Sequence, residues 1–67
     1  MEVGRRINEF MKSSGIKQHF LAQEIGLPDA TVSAILNSKR VIRVEEYWRI
    51  CKALNVPLET FLVEDPA

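Results

Sequence analysis

Turn-forming residues cut this chain into pieces too short to fold alone. Gly15, Gly26, Pro28, Asn37-Ser38, Asn55 and Pro57 are the marks, and between them the apolar residues keep helical spacing. Val3, Ile7, Phe10 and Met11 lie on one face of a first helix. Leu21, Ala22 and Ile25 make a second stripe, stopped by Gly26. Val32, Ile35 and Leu36 make a third, opened by Pro28 and Asp29. Proline suits the first turn of a helix, and an acidic residue there suits its dipole. Val44, Tyr47, Ile50, Cys51 and Leu54 make a fourth stripe, with Glu45 and Glu46 in its first turn, and Leu58, Phe61 and Leu62 predict a last short helix behind Pro57. Val41 to Val44 is the best candidate for a strand, but it is too short and has no partner to pair with. The expectation is an all-α chain of five short helices, each held by tertiary packing because helices this short are marginal alone. One domain over residues 1–67 is expected, with residues 63–67 a frayed tail.

A chain of 67 residues holds one modest core and no deep catalytic cleft. Nine Lys and Arg against nine Asp and Glu give no net charge, which excludes a polybasic binder driven by bulk charge. A single cysteine forms no internal disulfide, and no Cys/His cluster is spaced for zinc, so neither a metal nor another cofactor is expected. No stretch approaches the roughly 18 apolar residues of a membrane helix, and the opening Met1 to Arg6 lacks an apolar signal core. A cytoplasmic protein with no membrane partner and no small-molecule ligand is expected. Ser33, His19 and Asp29 have the residue types of a catalytic triad, but no strained elbow holds the serine, and no enzyme is expected.

The informative segment runs from Lys17 to Asn37. Leu21, Ile25, Leu27, Val32 and Ile35 are apolar, Ala22 is small, and Gly26 follows Ala22 by four residues. Two helices crossing closely through a tight turn need these choices. A small Ala22 lets the second helix approach, and Gly26 takes the positive φ of the turn. Leu27 drops into the core at the bend, while Val32 and Ile35 anchor the inner face of the second helix. That pattern is a helix-turn-helix, whose second helix stands out to enter a DNA major groove.

The same residues resemble the phage repressor/Cro-like (XRE) helix-turn-helix domains. Gly15-Ile16-Lys17-Gln18-His19-Phe20-Leu21-Ala22-Gln23-Glu24-Ile25-Gly26-Leu27 is similar to the segment of that family that begins Gly, aliphatic, Ser/Thr, Gln. Thr31-Val32-Ser33-Ala34-Ile35-Leu36-Asn37-Ser38-Lys39 is similar to its recognition helix and exit, and Ile50-Cys51-Lys52-Ala53-Leu54-Asn55-Val56-Pro57-Leu58 to its fourth helix and following turn. The resemblance covers residues 3–62 and implies a lambda-repressor-like fold with a recognition helix over about 28–37. Three positions depart from the family. Lys17 replaces a Ser/Thr N-cap, which typically costs about 1 kcal/mol. Pro28 stands where the family has a Ser/Thr/Pro-type cap and is tolerated there, and Ser38 replaces a glycine, which strains a left-handed turn unless Asn37 takes that conformation instead.

The resemblance implies a sequence-specific DNA-binding transcriptional regulator of the repressor/Cro kind, binding double-stranded DNA as a homodimer on a palindromic operator. Local charge agrees: residues 5–43 carry a balance of +4 and residues 44–67 a balance of −3. Lys17, Gln18, Asn37, Lys39, Arg40 and Arg43 are the implied phosphate contacts; a solvated basic turn is the plainer account of Lys39-Arg40. Asp29, Ala30, Thr31, Ser33 and Ala34 are the candidates for base edges. Asp29 accepts from a cytosine amino group or merely caps the helix. Ala30 and Ala34 touch thymine methyls, and Thr31 and Ser33 hydrogen-bond a base or a phosphate. Side chains this short predict modest direct readout and a large share for DNA shape. His19 is expected at the surface with no partner, and Cys51 as an inert buried thiol. Trp48 either covers the edge of the core or joins Leu62 and Val63 in a dimer patch. A second function stays open: a protein-interaction module, antitoxin-like or an anti-regulator, that keeps the scaffold without reading DNA.

Overall fold

The computed structural model describes residues 3–62. Four α-helices follow one another: α1 Val3–Ser14, α2 Gln18–Ile25, α3 Asp29–Leu36 and α4 Val44–Leu54, closed by a 3-10 turn, Leu58–Phe61. The expected fifth helix is thus a single tight turn, and no strand occurs among the described residues. α2 packs on α3 and α4, α1 packs on α3, and the closing turn lies against α1 and α4.

All four helices end alike, on one left-handed residue: Gly15, Gly26, Ser38 and Asn55. The amide that follows each left-handed residue then folds back onto the last turn. Ile16 N–H donates to the Met11 carbonyl at 2.9 Å, Leu27 to Ala22 at 3.1 Å, Lys39 to Ala34 at 2.8 Å and Val56 to Cys51 at 3.0 Å. These bonds satisfy carbonyls that a helix end leaves unpaired. Ser38 is the residue in this set least suited to φ 58°, because Asn37 stays at φ −98° and does not relieve it. Ser38→Gly is therefore expected to stabilise the fold by about 0.5–1 kcal/mol, a gain read as a melting temperature higher by a few degrees. An unchanged or lower melting temperature refutes strain at Ser38.

The core gathers Ile7 and Met11 of α1, Leu21, Ala22 and Ile25 of α2, Val32 and Leu36 of α3, and Ile50, Cys51 and Leu54 of α4. Leu27 is partly buried at the bend. Phe61 is the one buried residue of the closing turn. Its ring stands edge-on to Phe10 at 5.5 Å and to Tyr47 at 6.5 Å, and the Tyr47 hydroxyl donates to the Leu58 carbonyl.

Three residues of the apolar stripes lie outside it. Val44 is 87% exposed, and Leu58 and Leu62 are about half exposed. In place of Val44, α4 buries Glu46, 7% exposed. Its carboxylate accepts two bonds from the Arg40 guanidinium, at 2.8 and 2.9 Å, and a third from the Arg43 N–H at 3.0 Å. The α3–α4 loop is thereby clamped to the first turn of α4, and the acid caps that helix. The physical reason for the exchange is that a paired, hydrogen-bonded carboxylate is permitted inside.

α1 contributes a close approach. Gly4 is buried against α3, where a Cβ on it would lie 2.0 Å from the Ile35 carbonyl oxygen.

Candidate nucleic-acid interface

The helix α3 is divided by its own periodicity. Val32, Ile35 and Leu36 are buried, Asp29, Ala30 and Asn37 are exposed, and Thr31, Ser33 and Ala34 are half-buried. The buried side is gripped by α1 through Gly4 and packs against α2. The other side is open to solvent, so a helix anchored along one face presents short side chains along the other.

Both helices of the crossing begin without a side-chain cap. Lys17 precedes α2 and Pro28 precedes α3, each in extended backbone. The first amides of α2 have no intrahelical partner, and with the helix dipole they make an opening suited to an anion. Lys17 beside that opening is exposed, as are Lys39 and Arg43 on the far side of α3.

The remaining phosphate candidates are occupied within the chain. Gln18 Nε2 lies 3.5 Å from the Asp29 carbonyl and ties the start of α2 to the start of α3. Asn37 Nδ2 donates back to the Ser33 carbonyl at 2.8 Å and to Ser33 Oγ at 3.2 Å, so its amide closes α3 on itself. Arg40 holds Glu46, and that clamp draws the Glu46 carboxyl below its ordinary value of 4.5. The cause is first the Arg40 hydrogen bond, opposed by burial and reinforced by the Arg43 amide.

One partnership runs against expectation. His19 is not alone: its Nδ1 lies 3.0 Å from Asp29 Oδ2 and 3.2 Å from Oδ1, joining the first turns of α2 and α3. Ser33 bonds Asn37 instead of extending this pair. The available signal was weak: a histidine and an acid, each in the first turn of one of two helices that must cross. The Glu46 clamp had a clearer one, because an acid three residues into a helix is the reciprocal half of a capping box.

Cys51 is buried, and burial raises its thiol above the ordinary range. Trp48 is 49% exposed, with Lys52 Nζ 4.5 Å from its ring centre, in a shallow groove shared with Gln23 and Gly26 at the end of α2. Leu62, just past the closing turn, is 48% exposed. The third dimer candidate, Val63, lies outside the described residues. Among those residues no group of His, Cys, Asp and Glu could hold a metal ion, and no helix is long and apolar enough to cross a membrane.

Neither the curated proteins nor the solved structures yield a match to this chain. The model of the helix-turn-helix family does, over residues 7–61, from the core face of α1 through the buried Phe61. The match takes in every contact that presses α2 and α3 together and leaves one face of α3 bare, so the chain belongs to the Cro/XRE-like helix-turn-helix family of DNA-binding domains.

Proposed function

We propose that this DNA-binding regulator reads a specific duplex sequence by laying the open face of α3 in the major groove, as a homodimer on a palindromic operator. The observation that carries it is the division of α3 into a face locked in the core and a face of short side chains in solvent. Ala30 and Ala34 meet thymine methyls, and Ser33 donates to a base or a phosphate. Such contacts are few, so groove shape and deformability supply much of the discrimination. Lys17 and the bare amides of α2 hold one phosphate flank, and Lys39 and Arg43 the other.

Selection of bound duplexes from a random pool tests this. A two-fold symmetric consensus is expected, with half-sites about 34–36 Å apart, the span of one DNA turn between paired recognition helices. Enrichment of no sequence overturns it and favours the protein-interaction module. The phosphate contacts have their own test. Lys17→Ala and Lys39→Ala are each expected to weaken binding to all sequences and to flatten the slope of log affinity against log salt by about one. A slope that neither variant changes removes both lysines from the phosphate backbone.

A further inference from the structure

We infer that His19 is a positioning residue for DNA recognition, acting through Asp29, and that the protonated pair is the form that binds duplex tightly. The inference rests on the DNA-binding reading above. The two side chains join the N-terminal turns of α2 and α3, the ends that approach the duplex in that reading. The imidazole touches both carboxylate oxygens, at 3.0 and 3.2 Å. Both residues are more than half exposed, His19 at 65% and Asp29 at 57%, so the pair stands in solvent where DNA arrives. Next to it, Gln18 reaches the Asp29 backbone, so the first residue of α3 is held to α2 by two side chains.

The charge at this spot decides how it meets a polyanion. An imidazolium beside the carboxylate makes a pair of no net charge, with Asp29 held as a fixed acceptor toward a base edge. A neutral imidazole leaves a full negative charge at the start of the recognition helix, facing phosphates. Those phosphates favour the protonated imidazole, and by linkage the proton favours the complex. Affinity therefore rises as the pair takes up a proton.

The surroundings leave the assignment clean. From α3, Asp29 is the acid that faces His19, and from its own helix Lys17 precedes it while Glu24 lies toward the far end. The cations of α4 that reach α2, Arg49 and Lys52, share the groove with Glu24 at that far end. His19 is the single histidine of the chain.

The test is binding at fixed salt, by fluorescence anisotropy, to a duplex enriched from the random pool and to a mixed-sequence duplex, at about pH 5.5 and about pH 8. The parent is expected to bind about five- to tenfold more tightly at the acid end. His19→Gln is expected to bind at both pH values as weakly as the parent does at the alkaline end. Asp29→Asn is expected to bind more tightly than the parent at the alkaline end, with a shallower profile. Both positions are exposed, and circular dichroism is expected to show all three proteins equally folded. A flat parent profile, a His19→Gln profile like the parent's, or an Asp29→Asn variant no tighter at alkaline pH overturns the inference while leaving the DNA reading intact. Failure of every protein to bind any duplex at either pH overturns the DNA reading, and this inference with it.

Discussion

Replacing Gly4 with alanine is expected to lower the melting temperature by about 10 °C or more. The added Cβ would sit 2.0 Å from the Ile35 carbonyl oxygen and 3.1 Å from its carbon. Both atoms are backbone, inside α3, so no side-chain rotation relieves the contact. α1 must draw back from α3, and the buried Val3, Ile7 and Met11 draw back with it. Overpacking of a core costs about 1–3 kcal/mol, and often more where backbone is struck. Alanine recovers about 1 kcal/mol of helix propensity over glycine, which offsets only part of this. A net loss of about 2 kcal/mol is a large share of the stability of a chain this size. Arg6→Ala, at an exposed position of the same helix, is expected to change stability by less than about 0.5 kcal/mol and serves as the control. DNA affinity should fall with Gly4→Ala even well below its melting temperature, because Ile35 belongs to α3, the helix proposed to enter the groove. A Gly4→Ala protein that melts like the parent refutes the close approach of α1 and α3.

Gly4 also marks how far the sequence could be read. It shares the spacing of Ile7 and Met11, three and seven residues on, so a close look at the α1 stripe offers it as an interior position. What the pattern lacks is the identity of the surface opposite, and only packing shows that this surface is bare backbone. The crossing of α2 and α3 was more legible. Small Ala22, Gly26 and the apolar residues around them leave few ways to fold, and Leu21, Ala22, Ile25, Val32 and Ile35 are buried. Periodicity misled where a helix begins or ends. Val44 keeps the spacing of Tyr47 and Cys51, three and seven residues on, yet it sits at the first position of α4, beyond the edge of the core. Leu58 and Leu62 bracket a turn too short to have two buried sides. Polar partners were the least legible. His19 and Asp29 are ten residues apart, and Arg40 and Glu46 are six, and neither separation falls within one helix, where spacing would pair them.

Glu46→Gln is expected to cost about 1–2 kcal/mol at neutral pH and nearly nothing in acid. The carboxylate takes three hydrogen bonds, two of them from a guanidinium, and bonds to charged groups are the stronger kind. One third of the Arg40 side chain remains accessible to water, which holds the figure below that of a sealed ion pair. The sign of the pH effect follows from the direction of the shift. The folded protein holds the Glu46 carboxyl below 4.5, so its contribution is present above that value and is lost as pH falls through the lower folded one. The difference in melting temperature between parent and Glu46→Gln should therefore be about 5–10 °C at neutral pH and close on acidification below about pH 4.5. A gap that stays constant with pH refutes the charged clamp. The same variant decides what Arg40 does. With the clamp intact its guanidinium holds Glu46, and with glutamine there it is released toward solvent at the basic exit of α3. The salt slope of DNA binding should then steepen in Glu46→Gln by up to about one. If instead Arg40 already holds a phosphate in the parent, the slope stays where it was, and the arginine serves the duplex and the fold together.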